Sequence, residues 1–533
     1  MANLDTKILL LILDGWGLSP SWGGNAISLN NPNNINNLWR SYPHKILKAY
    51  DRSISKTGYI GNSEIGHSAI SAGKFVIPNL DYIDAHINDG SYMDNQVLKL
   101  AAENCHKHDS SLHLIGMISN AGIHSHLNHL YAMLNFAKQQ NISKVYVHAI
   151  TDGRDTGPTD AILYMGDLIN NIKRIGVGEI ATVSGRFYAM DKGNHYDRIN
   201  LAYKAIVQGV GDMGIEPRQV VSRSYEKGYT DEYIPPTVII KNHKPTARIN
   251  DFDSVIFFNY RSDRMQELCA TLIGKFKIGW NFKRIYNLFI ATFTDYFYQE
   301  YNYGYNVIFK RPTLEPNLAQ IVSNNKMRQI HIAESEKSSH VTYFFDGGRL
   351  EAYPGEEWKI IPSPNIPDFT NKPEMSASGV SAAIISSMQS NKYNLIVANL
   401  ANVDVLGHSG DIRATARAVD VVDAEVGKIF EQCRRNNYHL IITSDHGNAE
   451  QMIKVADSGS DREIVHTVNP VPFILAKGDA QYKNTHFASS QNMLSDILRS
   501  DGTLADVAPT ILELFEIDKP KEMEGISLLN RLE

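Results

Sequence analysis

Seven polar side chains at or beyond the ends of apolar runs have the types needed for metal-assisted chemistry. The apolar run at 440–442 leads to Asp445 and His446, and the run at 8–13 leads to Asp14. In open α/β sheets, ligands bind beyond the carboxyl ends of strands. Three carboxylates and three imidazoles, with no thiolate, suit Mn²⁺ or Zn²⁺ better than Mg²⁺. The predicted metal-binding set is Asp14, Ser63, Asp404, His408, Asp445, His446 and His466.

This set is larger than a single ion needs, and it includes one hydroxyl, that of Ser63. Two ions about 3.5–4 Å apart would account for six ligands and a serine. Such a pair lowers the pKa of a bound hydroxyl, which would make Ser63 a nucleophile at neutral pH. Glycines on both sides, Gly61 and Gly66, predict a tight turn that exposes the hydroxyl. Divalent ions also stabilise the charge on a phosphoryl group in transfer.

A second set of side chains, in the middle of the chain, has the character of an anion-binding site. Several apolar runs in this part each lead into a turn that carries arginine or histidine. The planar guanidinium fork binds carboxylate and phosphate in a bidentate manner. Because the formal net charge is −6, these arginines are not part of a generally basic surface. The turns contribute His124, Arg154, Arg186, Arg261 and Arg264.

The elements that must position these groups alternate between apolar runs and helical patterns. Residues 127–137 show the helical pattern, with apolar side chains at 3–4 spacing. This alternation predicts an α/β fold with a parallel sheet and crossover helices. The Asn- and Pro-rich stretch 28–37 is predicted to be loop or the frayed start of a helix. Residues 503–515 are predicted to form an amphipathic helix.

The length and two prolines predict the division into domains. A chain of 533 residues is too long for one core. Pro78 and Pro312 each lie in a short extended piece that reads as a linker. We therefore predict a metal-binding domain made of 1–77 and 312–533, with a substrate-binding domain, 78–311, inserted into it.

The composition excludes several classes of partner and compartment. A net charge of −6 gives no reason to expect nucleic acid or an anionic membrane. The 3 cysteines are far apart, which predicts no disulfide framework and indicates the reducing cytoplasm. The apolar run at 8–13 is too short for a signal peptide or a membrane span. We predict a monomer that acts on a small molecule.

Six motifs, taken together, extend the argument from residue types to a family. They are GNSEIGH at 61–67, DGRD at 152–155, NYRSDR at 259–264, DVLGHSG at 404–410, SDHGNAE at 444–450 and HTVNPVP at 466–472. In this order they resemble the motifs of the 2,3-bisphosphoglycerate-independent phosphoglycerate mutase family, which belongs to the alkaline phosphatase superfamily. The resemblance runs through nearly the whole chain, and the serine and Arg-x-x-Arg motifs are its most specific parts.

The resemblance implies a fold and a reaction. The implied fold is an alkaline-phosphatase-like parallel-sheet domain with a second α/β domain inserted into it. The implied reaction interconverts 3-phosphoglycerate and 2-phosphoglycerate in glycolysis and gluconeogenesis. It passes through a phosphoserine at Ser63 and uses no bisphosphoglycerate. The implied cofactors are two divalent metal ions, Mn²⁺ in first place, with Mg²⁺, Co²⁺ or Zn²⁺ as alternatives.

The resemblance also implies a role for each matching residue. One ion would be held by Asp404, His408 and His466, and the other by Asp14, Ser63, Asp445 and His446. Asp155 would be the acid–base for the glycerate hydroxyls. The implied substrate-binding residues are His124, Arg154, Asp155, Arg186, Lys192, Arg261, Arg264 and Lys337.

Two departures and three alternatives stay open at this point. The stretch 53–59, before the serine motif, lacks the family's usual Pro-Glu-Gly-Gln sequence, which concerns the shape of that loop. Lys192 stands where the family has a second arginine, and a lysine keeps the charge but lacks the fork. A metal-dependent phosphatase of the same superfamily would release inorganic phosphate instead of shifting it. A phosphopentose mutase would accept ribose phosphate. A non-enzymatic metal-binding protein would show no metal-dependent turnover.

Overall fold

The structure, a computed structural model, describes residues 3–20, 22–49, 61–192, 195–274, 283–297, 304–366, 368–456, 459–462, 465–477 and 500–529. The chain divides into two compact units. The first, here called the outer unit, is Met1–Ile77 together with Pro312–Glu533. The second, here called the inner unit, is Pro78–Arg311. Among the described residues, no helix combines the length and apolar character that crossing a membrane requires.

The described strands and helices alternate along the chain as the pattern predicts. The strands are β1 Ile8–Leu13, β2 His44–Lys48, β3 Leu112–Met117, β4 Val145–Thr151, β5 Glu179–Gly185, β6 Asp212–Gly214, β7 Thr237–Lys241, β8 Lys244–Pro245, β9 Ser254–Phe257, β10 Phe289–Thr292, β11 Asn306–Val307, β12 Gln329–Glu334, β13 Glu356–Ile361, β14 Leu395–Leu400, β15 His439–Thr443, β16 Ile453–Ala456, β17 Gly459–Arg462, β18 Val471–Ala476 and β19 Gly502–Thr503. The α-helices are α1 Ala26–Asn30, α2 Asn33–Ser41, α3 Ser63–Ala72, α4 Asn79–Asn88, α5 Gln96–His108, α6 Leu127–Gln139, α7 Ala161–Ile175, α8 Arg186–Ala189, α9 Tyr196–Tyr203, α10 Pro217–Glu226, α11 Gln266–Ile273, α12 Leu318–Asn324, α13 Ala377–Gln389, α14 Asn402–Gly407, α15 Ile412–Asn436 and α16 Val507–Leu514. Short 3₁₀ turns lie at Ser91–Asp94, Asp231–Tyr233, Ser335–Lys337, Phe369–Asn371 and Leu504–Asp506, and π-helical turns at Lys204–Gln208 and His340–Phe344.

The sheet of the outer unit has the strand order β13-β12-β14-β1-β15-β18-β2-β19. The five strands from β13 to β15 are mutually parallel, as predicted. The next strand, β18, is antiparallel to both β15 and β2, which the prediction of a parallel sheet did not include. A parallel return needs a long crossover, usually a helix, and the described residues between β15 and β18 contain no helix.

Strand β1 is the centre of this sheet, because it pairs with β14 on one side and β15 on the other. All six of its side chains are fully buried. Successive side chains point to opposite faces of a strand. Leu9, Leu11 and Leu13 therefore join one core cluster, and the alternate side chains Ile8, Leu10 and Ile12 join a second cluster. The apolar run predicted this double burial correctly.

The stretch 28–37 was predicted to be loop or a frayed helix start, but residues 28–30 and 33–37 lie in two formed helices, α1 and α2. The free N–H groups at the start of α2 are satisfied from a distant element. The carboxylate of Asp423, on α15, accepts from the backbone N–H of Asn34 at 3.0 Å and of Ile35 at 2.9 Å. Ile35 and Leu38 then pack into the core. This cap is supplied by tertiary structure and leaves no local signal in the sequence.

The sheet of the inner unit has the order β11-β10-β9-β3-β4-β5-β7-β6, with β8 paired to β7. Its central strands β9, β3, β4 and β5 are parallel, so their carboxyl ends meet at one edge. The turns predicted to bind anions follow β3, β4, β5 and β9. The predicted helix at 127–137 is present as α6. The inner unit has its own core cluster, formed by side chains such as Phe257 and Leu268.

Candidate active site

The ammonium group of Lys337 lies at the centre of a buried acidic cluster in the outer unit. Lys337 follows β12 in a 3₁₀ turn and is only 6% exposed. Its Nζ donates to Asp14 Oδ1 at 2.8 Å, to Ser63 Oγ at 2.8 Å and to Asp404 Oδ2 at 2.7 Å. Asp14 directly follows β1, Ser63 begins α3 and Asp404 lies in α14. The structure thus brings groups from both ends of the chain to one point.

Ser63 is held by the start of a helix rather than by the exposed turn that its flanking glycines predicted. It is the first residue of α3 and is 5% exposed. The side chain of Asn62 caps this helix by accepting from the N–H of Ile65 at 2.9 Å. Gly66 serves close packing, because a Cβ there would lie 2.5 Å from the carbonyl oxygen of Asp445. The glycine therefore lets α3 approach the turn after β15.

The three predicted imidazoles converge on the same cluster. His446 Nε2 lies 2.8 Å from Ser63 Oγ. His408 Nε2 and His466 Nε2 are 2.9 Å apart and lie 3.3 Å and 3.4 Å from Asp404 Oδ1. The ring of His466 also stacks on that of His446, with centroids 3.7 Å apart. All seven residues predicted to bind metal are therefore neighbours.

Two side chains that the sequence analysis did not assign hold this arrangement in place. His67 Nδ1 faces the Ser63 carbonyl oxygen at 2.9 Å and Asp445 Oδ2 at 3.3 Å, so it carries the proton. Its Nε2 is then the acceptor for Asn399 Nδ2, at 3.0 Å. Asn399 also donates to Asp14 Oδ2 at 2.7 Å. The helical i, i+4 spacing from Ser63 could have indicated His67, whereas Asn399, inside β14, carries no comparable signal.

The donor chemistry of the cluster fits divalent metal ions. Carboxylate and imidazole atoms converge here, and Oδ2 of Asp445 lies 3.3 Å from His67 Nδ1 and 3.4 Å from His446 Nε2. Several buried carboxylates this close together are costly unless cations lie among them. Two groups have ligand atoms within 4.8 Å of one another: Asp404, His446 and His466, and Asp14, His67 and Asp445. Because His67 Nδ1 is a donor, we read His67 as a support for Asp445 and not as a ligand.

The pKa shifts in this cluster keep Lys337 positively charged beside the carboxylates of Asp14 and Asp404. Burial raises the pKa of Asp14 to about 6, and the neighbouring Asp445 carboxylate adds to the rise. Burial alone would lower the pKa of Lys337, but Asp14 and Asp404 outweigh it and hold that pKa above its ordinary range. In turn Lys337, with His408, holds the pKa of Asp404 well below its usual value despite burial. Lys337 is therefore a charged ammonium among carboxylates.

Arg186 is the centre of a second cluster, which lies in the inner unit. It follows β5 and is 3% exposed. Its Nη1 donates to Asp152 Oδ1 and Asp155 Oδ2, both at 2.6 Å, and its Nη2 donates to His124 Nε2 at 3.0 Å. Burial and the Arg186 charge hold the pKa of His124 well below its ordinary value. His124 is therefore a neutral acceptor for Arg186.

The remaining predicted anion-binding residues surround this centre. Arg154 Nη2 donates to Glu232 Oε1 at 2.5 Å. Arg261 Nε lies 3.2 Å from Asp263 Oδ1, while Lys192 Nζ is 4.0 Å from Asp263 Oδ2. Among the described residues, Lys192 thus has one long contact, to Asp263, and it lacks a guanidinium fork.

Arg264 lies close to several other arginine side chains. Its Nη1 lies 3.5 Å from the Met190 carbonyl oxygen. Burial, together with the charges of Arg186, Arg154 and Arg261, lowers the pKa of Arg264 to about 10, although the Asp263 carboxylate acts in the opposite direction. Guanidinium groups that repel one another in a buried position favour an anionic ligand among them.

Two family models match this chain. Residues 83–298 match the family described as "BPG-independent PGAM N-terminus", and residues 309–496 match "Type I phosphodiesterase / nucleotide pyrophosphatase". The crystal structure of Leishmania mexicana phosphoglycerate mutase at low cobalt concentration aligns over 98% of both chains, with a TM-score of 0.82. At 24% identity that likeness concerns the fold. The predicted fold class is confirmed.

Relatives with higher sequence identity show which family this chain belongs to. A 2,3-bisphosphoglycerate-independent phosphoglycerate mutase of Clostridium novyi is 42% identical over 522 residues, which are 98% of this chain and 99% of that protein. The protein of the same name from Acetivibrio thermocellus is 40% identical over 527 residues, with the same coverage. Identity at this level over nearly the full length of both proteins shows the family. This chain belongs to the 2,3-bisphosphoglycerate-independent phosphoglycerate mutase family.

Proposed function

We propose that this protein interconverts 3-phosphoglycerate and 2-phosphoglycerate through a phosphoserine at Ser63, without bisphosphoglycerate. One observation carries the proposal. The Ser63 hydroxyl is buried and lies 2.8 Å from both His446 Nε2 and Lys337 Nζ, beside the carboxylates of Asp14 and Asp404. A hydroxyl so placed has an acceptor for its proton and a cation for the charge that develops on it. The proposed place of the reaction is glycolysis and gluconeogenesis in the cytoplasm.

The proposed metal ligands are those that the sequence predicts. Asp404, His408 and His466 would hold one divalent ion. The other would be held by Asp14, Ser63, Asp445 and His446, with Mn²⁺ in first place and Mg²⁺, Co²⁺ or Zn²⁺ as alternatives. When bound, such ions lower the pKa of the serine hydroxyl and offset the charge of the phosphoryl oxygens.

The phosphoryl transfer, the proton transfers and the binding of substrate are assigned to residues of the chain. Ser63 Oγ, in its deprotonated form, attacks phosphorus, the bond from phosphorus to the 3-oxygen of glycerate breaks, and that oxygen takes a proton from Asp155. The 2-hydroxyl of glycerate then returns a proton to Asp155 and attacks phosphorus, and the bond from phosphorus to Ser63 Oγ breaks, which restores the deprotonated Ser63. Lys337 places positive charge beside Ser63 Oγ throughout. Arg154, Arg186, Lys192, Arg261, Arg264 and His124 are the proposed binding groups for the anionic substrate.

The overall reaction is tested by phosphorus NMR on metal-stripped protein. Given 3-phosphoglycerate and Mn²⁺ but no bisphosphoglycerate, the protein should form 2-phosphoglycerate at equilibrium with its substrate. Parallel samples with Mg²⁺, Co²⁺ and Zn²⁺ rank the metals. Release of inorganic phosphate as the main product would instead support a phosphatase, and turnover of ribose phosphate would support a phosphopentose mutase. A protein with no turnover under any metal would support the non-enzymatic alternative.

The covalent route is tested at Ser63. Replacing Ser63→Ala removes the only atom that accepts the phosphoryl group in this scheme, so turnover should fall by at least about 10⁴-fold. Ser71→Ala is the matched control, because Ser71 is buried on the same helix and its hydroxyl has no hydrogen-bond partner among the described residues. That control should keep wild-type turnover. Mutase activity retained by Ser63→Ala would refute the phosphoserine.

A further inference from the structure

The 3₁₀ turn at Asp231–Tyr233 packs against the ends of two strands of the inner unit, β4 and β5. Gly153, with φ at +75°, would place a Cβ 2.6 Å from the backbone nitrogen of Glu232. Gly185 would place one against the carbonyl oxygen of Glu232, too close for the two atoms to fit. Each glycine directly precedes an arginine of the predicted anion-binding set. The turn therefore lies beside that set, although the sequence analysis did not assign it.

Hydrogen bonds to three segments fix this turn. The buried carboxylate of Asp231 accepts from the N–H of Ala161 at 2.8 Å, and the N–H of Asp231 donates to the Pro158 carbonyl oxygen at 2.8 Å. The carbonyl oxygen of Asp231 accepts from Thr151 Oγ1 at 2.7 Å. The backbone position of the next residue, Glu232, is thus set by α7, by the loop before it and by the end of β4.

The carboxylate of Glu232 faces one guanidinium group, that of Arg154. Its Oε1 accepts from Arg154 Nη2 at 2.5 Å, and the Glu232 side chain is 12% exposed. Among the described residues, the other side-chain nitrogens of Arg154 have no hydrogen-bond partner, and that side chain is 41% exposed. Arg186 differs, because its guanidinium is buried and already bonded to two carboxylates. Arg154 is therefore held at one nitrogen and can still donate to a ligand.

Two opposite effects of Glu232 on the binding of an anion must be weighed. An arginine side chain loses rotamer freedom when a ligand fixes it, and a contact that fixes it beforehand reduces this loss. The Glu232 charge acts the other way, because a carboxylate repels an anionic ligand. The guanidinium of Arg154 is in direct contact with that carboxylate and offsets its charge. We therefore expect the fixing of Arg154 to outweigh the repulsion.

We propose that Glu232 is a positioning residue for the substrate, which holds the Arg154 guanidinium where its remaining N–H donors bind an anionic group of phosphoglycerate. This inference rests on the proposed function. Glu232 touches no reacting atom, so it acts through Arg154 on binding and not on the chemical step. Loss of such uniform binding raises KM and leaves kcat unchanged.

Steady-state kinetics with 3-phosphoglycerate on the full-length, Mn²⁺-loaded protein test this role. Glu232→Ala should raise KM about 3- to 10-fold, with kcat within about 2-fold of the wild type. Glu232→Gln keeps an acceptor oxygen for Arg154 and should recover part of the loss. The control is Glu226→Ala, an exposed position at the end of α10, which should match the wild type. A KM for Glu232→Ala equal to that of the wild type would overturn the proposal, and so would a lower KM, which would show that the carboxylate acts only by repulsion.

The Arg154→Ala background separates positioning from an effect on the fold. In that background Glu232→Ala should change KM by less than about 2-fold, because no guanidinium is left to hold. An equal rise of KM in both backgrounds would show that Glu232 supports the fold and not Arg154, and would overturn the proposal. A wild type that forms no 2-phosphoglycerate would refute the proposed function itself. Turnover by the wild type, with KM unchanged in Glu232→Ala, refutes this inference alone.

Discussion

At the scale of single residues, the sequence predicts which groups come together, but not what each one contacts. Carboxyl ends of parallel strands share one edge, so the convergence of Asp14 with Asp445 follows from the pattern. Lys337 was assigned to the substrate, and the structure places its ammonium between Asp14 and Asp404. That position depends on the path of a 3₁₀ turn after β12. No periodicity in the sequence encodes such a path.

Removing the ammonium group of Lys337 should lower the stability of the protein most when no metal ion is bound. In metal-free Lys337→Met, the buried carboxylates of Asp14 and Asp404 lose their cation, a loss of about 3–5 kcal/mol. Bound Mn²⁺ would supply the missing charge and restore much of the stability. Melting temperatures in chelator and in Mn²⁺ measure this difference. Lys392→Met is the control, since its pair with Glu357 is exposed to solvent and screened, so its loss should change the melting temperature little. An equal loss for Lys337→Met in both conditions would contradict the argument.

Glu334, at the end of β12, should give the stability of the outer unit a dependence on pH. One of its oxygens accepts from Ser363 Oγ at 2.8 Å, and the side chain is 1% exposed. Burial raises the pKa of Glu334 from 4.5 to about 6. The folded protein then binds the proton more tightly than the unfolded one, so stability falls as pH rises from 4.5 through 6, by about 2 kcal/mol.

The measurement compares the wild type with Glu334→Gln from pH 4.5 to 7. The melting temperature of the wild type should fall relative to that of the variant as pH rises. A difference that stays constant over this interval would show that Glu334 keeps an ordinary pKa.

At the scale of elements, apolar runs were good predictors and polar segments were poor ones. The runs at 8–13 and 440–442 lie in central strands because only buried strands need such composition. Helix α2 went undetected as a formed helix since its cap comes from Asp423, far along the chain. The antiparallel direction of β18 likewise depends on the lack of a crossover helix. Such features are set by tertiary contacts rather than by local propensity.

Glu450 should act on the metal site through the loops it joins. Its carboxylate accepts from the N–H of Gly17 at 3.2 Å, from the N–H of Asn448 at 2.8 Å, from Thr467 Oγ1, and from Asn469 Nδ2 at 2.9 Å. These donors lie in the loop after β1, the turn after β15 and the loop before β18. Each of these segments also carries proposed metal ligands.

Glu450→Gln replaces one acceptor oxygen with a donor, so the three loops should lose their common anchor. Metal affinity should fall about 10- to 100-fold, as measured by competition with a fluorescent chelator. The control is Glu431→Gln on α15, whose carboxylate pairs only with the exposed Arg434 and Arg435 in the described part of the chain. Unchanged affinity in Glu450→Gln would show that the loops hold their shape without it.

At the scale of the whole molecule, the inner unit has what an independent domain requires. It has its own sheet and core. Its two ends also meet, because the Arg311 guanidinium lies 5.6 Å from the Tyr82 ring centroid and the Phe309 ring lies 5.9 Å from that of His86. The two residues on the first helix, α4, thus contact the last residues of the same unit.

A chain of residues 78–311 alone should therefore fold. We expect dispersed amide resonances and a cooperative melting transition. A shorter chain, 90–311, lacks α4 and the buried side chains Leu80 and Ile83, and it should melt at a lower temperature. Equal melting temperatures would show that α4 contributes nothing to the unit. An unfolded 78–311 chain would show that this unit depends on the rest of the protein.

The central position of β1 has a consequence for synthesis on the ribosome. Ile8 pairs with Leu395 on one side and with His439 on the other. The earliest strand to emerge therefore waits for partners translated much later, and its fully apolar side chains need shelter in the meantime. The inner unit, whose strands all lie between residues 112 and 307, is complete well before then. A nascent chain arrested near residue 350 should thus carry a finished inner unit beside an unpaired, chaperone-dependent first strand.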